Sequence, residues 1–125
     1  IVIPERGSVS VNGDAVKTSA GALLHLPVAR GANLNRTIKT LKDSGFTIVG
    51  ATEKSSQNYT TFDFTSPVAI VMGAEETGIN PENLRLCDCL ASIPMRGKVN
   101  SLNVSVAAGI MIYEVIRQRM LADAL

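Results

Sequence analysis

Apolar runs of strand length alternate with stretches of helical spacing along this chain, the pattern of an α/β domain. Residues 1–3, Ile-Val-Ile, read as a strand, and residues 7–14, rich in Ser, Gly and Asn, as a loop. Residues 14–24 carry Ala15, Val16, Ala20, Ala22, Leu23 and Leu24, a weak short helix, and Val28-Ala29 is a short strand. Residues 35–44 make a better helix. Leu34, Ile38 and Leu41 form its apolar stripe, Arg36, Lys39 and Lys42 fall on another face, and Gly45 closes it as a C′ glycine.

Residues 46–51 form the next strand, and residues 52–66 are polar and loop-like. Residues 67–72, Pro-Val-Ala-Ile-Val-Met, are continuously apolar up to Gly73, as expected of a strand buried on both faces of a parallel sheet. Residues 81–86 read as a short helix with Pro81 in its first turn. Residues 91–95 are the last strand, edged by Pro94. Residues 101–120 form the longest helix, with Val104, Ala108, Met111 and Val115, together with Ile112 and Ile116, marking its buried side. The expected architecture is α/β, a mostly parallel sheet of about five strands with helices on both faces, without internal repeats.

Composition narrows the class. The 125 residues are one domain's worth of chain, and the 46% apolar share supports one sizeable core, which excludes intrinsic disorder. No run approaches the ~20 apolar residues of a membrane span, and no charged n-region precedes an apolar h-region. A cytoplasmic protein without a membrane partner is expected. The formal charge of +1 argues against a tail-type polyanion binder but leaves room for a local basic face. Cys87 and Cys89 are too close for an unstrained disulfide. The one histidine, His25, is far from them in sequence, so reduced thiols and no metal are expected. His25, between Leu24 and Leu26, reads as a core-edge residue rather than a catalytic one. No Ser/His/Asp set or HExxH motif supports covalent or metal catalysis.

Two turns after strands carry candidate chemistry. In open α/β sheets ligands bind at the carboxyl ends of strands. The first turn, Met72-Gly73-Ala74-Glu75-Glu76-Thr77-Gly78, follows the most apolar strand, and Gly73 lets a ligand approach the backbone. It makes neither a GxGxxG fingerprint nor a P-loop. Glu75 and Glu76 are a solvated acidic turn or a functional pair. The second turn runs from Ile93 to Asn103 and enters the long helix, with Asn100 or Ser101 as N-cap. Ser101 and Asn103 serve as caps or face an oxygen-rich ligand at the helix N-terminus.

At these turns the sequence resembles a known family. Residues 71–79, Val-Met-Gly-Ala-Glu-Glu-Thr-Gly-Ile, resemble motif 2 of the SpoU/TrmH branch of the SPOUT methyltransferases. Residues 92–97, Ser-Ile-Pro-Met-Arg-Gly, through residues 101–108, Ser-Leu-Asn-Val-Ser-Val-Ala-Ala, resemble motif 3. Weaker similarity runs back through Pro27-Val28-Ala29 and residues 17–22 to Ile3-Pro4. Within the branch the resemblance is greatest to bacterial 23S rRNA (guanosine-2′-O)-methyltransferases.

The resemblance implies an α/β sheet whose C-terminal part forms a deep trefoil knot, with S-adenosylmethionine as cofactor. It places Gly73, Ile93 and Leu102 in the cofactor site with Met72 and Met95 beside them. It ties Glu75, Ser101 and Asn103 to catalysis or substrate placement, and implies a homodimer through the C-terminal helix. Methyl transfer to a ribose 2′-hydroxyl needs alignment and proton removal but no enzyme nucleophile, which suits a chain without one. Arg96 and Lys98, with Arg30, Arg36 and Lys39, are the expected phosphate-binding residues toward RNA.

The family's motif 1, an Asn-containing stretch leading to a helical Arg that assists deprotonation, has no counterpart among the first ten residues. The chain opens in mid-strand, so residues 1–125 are expected to be a SpoU-type catalytic domain without its first strand and motif 1 helix, with impaired turnover by itself. Three competing readings are a tRNA ribose methyltransferase, an inactive RNA-binding or dimerising fragment, and a dinucleotide-binding oxidoreductase. The last requires a Gly-rich first βα turn that this sequence does not have.

Overall fold

A computed structural model of the chain describes residues 1–5, 12–21, 25–74, 77–98 and 102–123. It divides into two units, Ile1–Thr37 and Ile38–Leu125. In the first, β1 (Val2–Pro4) and β2 (Ala29–Gly31) pair in parallel, Val2 opposite Ala29 and Pro4 opposite Gly31. Glu5 N–H donates to Gly31 O at 3.1 Å and Ala29 N–H to Ile1 O at 2.9 Å, so alternate residues bond β2 and Pro4 sits at a position whose N–H the pairing does not use. Helix α1 (Gly13–Thr18) starts at Asn12, whose Oδ1 accepts the Ala15 N–H at 2.9 Å. It stops well short of residue 24, because Ala20 (φ +54°) and Gly21 (φ +82°) both take left-handed conformations. Ala22, Leu23 and Leu24, assigned to that helix from the sequence, lie outside the described residues. His25 is exposed rather than at a core edge.

Helix α2 (Leu34–Asp43) carries the expected stripe: Ile38 is buried, Leu34 and Leu41 are half-buried, and Arg36 and Lys39 are exposed. Gly45 (φ +94°) ends it in a Schellman motif. Its N–H donates to Lys42 O, and Phe46 N–H donates to Leu41 O, both at 3.0 Å.

In the second unit β3 (Thr47–Ala51), β4 (Val68–Val71) and β5 (Cys89–Ala91) form a parallel sheet in the order β4-β3-β5. Among the described residues five strands are present, all paired in parallel, but divided between a two-stranded and a three-stranded sheet. The last strand begins and ends earlier than the expected residues 91–95. Its start is obscured in the sequence by the polar Asp88, and Pro94 cannot donate to a ladder.

Successive side chains of a strand face opposite ways, and Ile48 and Val49 are both fully buried, so β3 is covered on both faces. The apolar run 67–72, expected to be the strand buried on both faces, is instead half-buried β4, which stands at the end of the order with one neighbour among the described strands. Val49, Phe64, Ala91, Met111 and Val115 form the core cluster. The last two come from α4 (Val104–Asp123), which starts three residues later than expected. Ile112 and Ile116, assigned to its buried side from the sequence, are 52% and 43% exposed. With about 100° per residue, the row of Val104, Ala108, Met111 and Val115 faces inward. Ile112 and Ile116 each lie one step further round.

Polar clamps hold this unit together. Ile48 N–H donates to Asp88 Oδ2 at 2.7 Å, and Lys42 Nζ lies 3.3 Å from the other carboxylate oxygen. Buried Glu114 accepts Arg117 Nε at 2.8 Å and Nη2 at 2.7 Å, and Gln118 Nε2 at 3.0 Å. Gln118 in turn donates to Phe62 O and accepts the Phe64 N–H, fixing the segment that carries the core phenylalanine.

Candidate functional site

The segments that follow the carboxyl ends of β3, β4 and β5, with the start of α4, enclose a cavity of about 210 Å³. A single water centre needs only ~10–15 Å³, so the space is ligand-sized. Its position matches the rule that parallel sheets bind ligands beyond their carboxyl ends.

After β4, the backbone doubles back. Ala74 N–H donates to Gly78 O at 3.2 Å and Gly78 N–H to Ala74 O at 2.8 Å. This closure brings residues 78–79 against Gly73 so tightly that a Cβ there would stand 2.2 Å from the Gly78 carbonyl carbon. Glycine at 73 is therefore a requirement of the turn itself. Gly78 (φ +72°) supplies the left-handed step. The chain then enters α3 (Pro81–Leu86), where Asn80 Oδ1 caps the Glu82 N–H at 2.9 Å.

After β3, Thr52 N–H donates to Ala91 O at 2.9 Å, and Ser55 Oγ donates to Leu90 O at 2.7 Å. Between these anchors residues 52–55 form a turn, with Ser55 N–H donating to Thr52 O at 3.3 Å.

Met72, Gly73, Ile93, Met95 and Leu102, expected at the cofactor site, all line this one cavity. Asn103 does not line it. It is exposed and is the cap of α4, its Oδ1 accepting the Ser105 N–H at 2.9 Å and the Ser105 hydroxyl. The cap is thus neither Asn100 nor Ser101, the two residues the sequence pointed to. Glu75 and Ser101 lie outside the described residues, as do Glu76 and Asn100. Arg96 and Lys98 are exposed on the loop beyond Met95, flanking Gly97 (φ +100°). Arg30 and Arg36 are exposed in the first unit and Lys39 in the second.

Sequence reasoning missed Thr52, Glu53 and Lys54, which also line the cavity. Their position immediately after a predicted strand was the signal that would have found them. Cys87 and Cys89 are free and half-buried. Burial is the main cause that pushes both thiols above the ordinary range, which disfavours the reactive thiolate. No helix among the described residues is long and apolar enough to cross a membrane.

Residues 1–113 match the SpoU rRNA Methylase family. Over 119 residues, 95% of its length, the chain is 46% identical to a protein of Staphylococcus saprophyticus named for the TrmH family of tRNA/rRNA methyltransferases. Over 124 residues it is 39% identical to the 23S rRNA (guanosine-2′-O-)-methyltransferase RlmB of Ralstonia nicotianae. It covers 48% and 50% of these two proteins, so the chain spans about half the length of the relatives it matches. The SpoU methyltransferase AviRb of Streptomyces viridochromogenes, solved in complex with AdoMet, superposes with a TM-score of 0.83 at 30% identity. That superposition covers 95% of this chain and 49% of AviRb. The chain belongs to the SpoU rRNA methylase family.

Proposed function

We propose that the protein transfers the methyl group of S-adenosylmethionine to a ribose 2′-hydroxyl of RNA. The observation that carries this reading is the meeting of Met72, Gly73, Ile93, Met95 and Leu102 around one ligand-sized cavity. Two of these residues come from one family motif and three from another. The cavity also fits such a ligand chemically. Met72, Ile93, Met95 and Leu102 offer apolar walls to a flat adenine, and the turns around them bring backbone donors and acceptors.

When bound, S-adenosylmethionine supplies an electrophilic methyl on a sulfonium, and the leaving group is a neutral thioether. Met72, Gly73, Ile93, Met95 and Leu102 would hold the cofactor, and the chemistry it would supply is methylation of a ribose 2′-oxygen, which requires alignment and removal of the hydroxyl proton but no enzyme nucleophile. Gly73 keeps the backbone of residues 78–79 close, which holds the cavity wall in register. The apolar side chains exclude water from the transfer path. Ser101, Glu75 and Asn103 are assigned to substrate placement, and exposed Arg96 and Lys98, with Arg30, Arg36 and Lys39, to RNA phosphates.

The proposed substrate is a guanosine of 23S rRNA, supported by the RlmB relative. The family's trefoil knot is proposed on the resemblance to the AviRb fold. A homodimer through α4 is supported by its exposed apolar residues, among them Val106, Tyr113 and Met120 at 50%, 65% and 62%.

The test is transfer of labelled methyl from S-adenosylmethionine to 23S rRNA and to bulk tRNA, with the product mapped by its resistance to alkaline cleavage. Label on 23S rRNA that blocks cleavage after a guanosine is the expected result. Label confined to tRNA would overturn the rRNA assignment. Label at a base, with alkaline cleavage intact, would overturn the ribose chemistry.

A further inference from the structure

Among the described lining residues of the cavity, Glu53 and Lys54 are the charged ones. The other lining side chains are mainly apolar, Met72, Ile79, Ile93 and Leu102 among them, with Thr52, Thr77 and polar surface between them. Both charged residues are exposed. The ion pairs among the described residues, Lys42–Asp88 and Glu114–Arg117, involve neither of them.

Their presentation is built by backbone. They are the two central residues of the 52–55 turn at the carboxyl end of the central strand β3. That turn is anchored on both sides to β5, through Thr52 N–H on Ala91 O and Ser55 Oγ on Leu90 O. A cross-turn bond from Lys54 N–H to Thr52 Oγ1, 3.2 Å, tightens it. Two opposite charges, adjacent in sequence, therefore stand on an anchored rim over a cavity whose other side chains are mainly apolar.

A ligand matched to such a site has an apolar body and a zwitterionic end. Lysine alone would suit an RNA phosphate, but the adjacent carboxylate repels one and leaves the pair with no net charge. A zwitterion meets both charges favourably. We propose that Glu53 and Lys54 read the amino-acid end of the cavity's ligand, Glu53 accepting from its α-ammonium and Lys54 donating to its α-carboxylate. This rests on the S-adenosylmethionine reading of the cavity and names the residues that would distinguish that molecule from other adenosine thioethers.

The test is calorimetric titration of the full chain with two probes, S-adenosylhomocysteine and 5′-methylthioadenosine, which share adenine, ribose and thioether. Only the first has the amino-acid end. The variants are Glu53→Gln, Lys54→Met and Lys54→Arg. Because the turn's hydrogen bonds do not use these two side chains, all three variants are expected to keep the wild-type melting temperature. Lys54→Met and Glu53→Gln are expected to weaken S-adenosylhomocysteine by about five- to tenfold, the scale of a charge-assisted hydrogen bond at an exposed rim. Lys54→Arg is expected to hold its affinity to about twofold, and 5′-methylthioadenosine to bind all four proteins alike. Equal weakening of both probes would overturn the proposal in favour of contact with the ribose or general damage to the pocket. Unchanged affinity for S-adenosylhomocysteine would overturn it as well. A wild-type chain that binds neither probe would overturn the cofactor reading itself, and with it this one.

Discussion

Gly73→Ala adds one methyl group where the structure has no room for it. The new Cβ would stand 2.2 Å from the Gly78 carbonyl carbon, 2.3 Å from Ile79 N and 2.7 Å from Gly78 Cα. Carbon contacts are comfortable only from ~3.5 Å, so residues 78–79 must retreat by more than about 1 Å. All three obstructing atoms are backbone, so no side-chain rotation relieves the clash. The retreat also pulls on the reciprocal Ala74–Gly78 bonds that close the turn. Overpacking of this kind costs ~1–3 kcal/mol, and the rigid obstruction places this case near the upper end. For a chain of this length that corresponds to roughly a 10 °C drop in melting temperature. Because Gly78 and Ile79 line the cavity, the same shift deforms the wall. A wall displaced by about 1 Å no longer meets its ligand at contact distance, so binding weakens with it. Differential scanning calorimetry and titration with S-adenosylhomocysteine measure the two effects separately. A variant that melts within about 2 °C of wild type and binds within twofold would refute the reasoning, since the turn would then have slack that its geometry denies.

Four further outcomes are expected. Glu114→Ala returns the half-exposed Arg117 guanidinium to water and loosens Gln118, whose clamp on Phe62 and Phe64 the carboxylate orients, so urea unfolding should show a loss of about 1–3 kcal/mol. Asp88 is held below the usual carboxylate range, first by the Ile48 N–H and then by Lys42, and Glu114 chiefly by Arg117. A lowered folded pKa gives stability that is present above the unfolded value, ~4, and is lost as pH falls through the folded one. Melting temperature should therefore decline below about pH 4, less steeply in Asp88→Asn, and parallel curves would disprove the link. Tyr113→Lys combined with Ile116→Lys places two charges on the exposed face of α4 and should convert a dimer to a monomer by light scattering; an unchanged mass would remove α4 from the interface. Asn103→Asp preserves the α4 cap, so it should melt like wild type while methyl transfer falls by about 100-fold, the loss typical of a missing polar donor at a transition state.

Legibility in the sequence followed the strength of local physics. The α3 span, its Pro81 start, and the Gly45 stop of α2 could be read directly, because proline, glycine and cap chemistry act within a turn. Burial of a strand on both faces was read one strand away: the unbroken apolar run 67–72 is β4, half-buried at the end of the three-stranded order, while the fully covered strand is the central β3, whose run is interrupted by Thr47 and Gly50. The inward face of α4 could be read only in part. Its helix is apolar nearly all round, so the sequence offers no polar side to set the rotation, and Ile112 and Ile116 were placed inward when they are exposed. The division of the described strands into two sheets could not be read at all, because β1, β2 and β5, at three residues each, carry no pattern that specifies their neighbours.

The site divides along the same line, and Asn103 shows why. Motif resemblance pointed to both cavity-lining and polar residues, but backbone geometry gives Asn103 a structural task that explains its presence without any chemistry. Its side-chain oxygen is committed to the Ser105 N–H and hydroxyl, so any service to a substrate must come from the amide nitrogen, as a donor. Aspartate keeps the capping oxygen, adds a charge that the helix N-terminus favours, and has no such donor. The substitution thus separates two roles that an alanine would remove together. If Asn103→Asp transfers methyl groups at the wild-type rate, the residue acts through the start of α4 alone. The chemistry must then lie with its neighbours in the two motifs, Glu75 and Ser101 first among them.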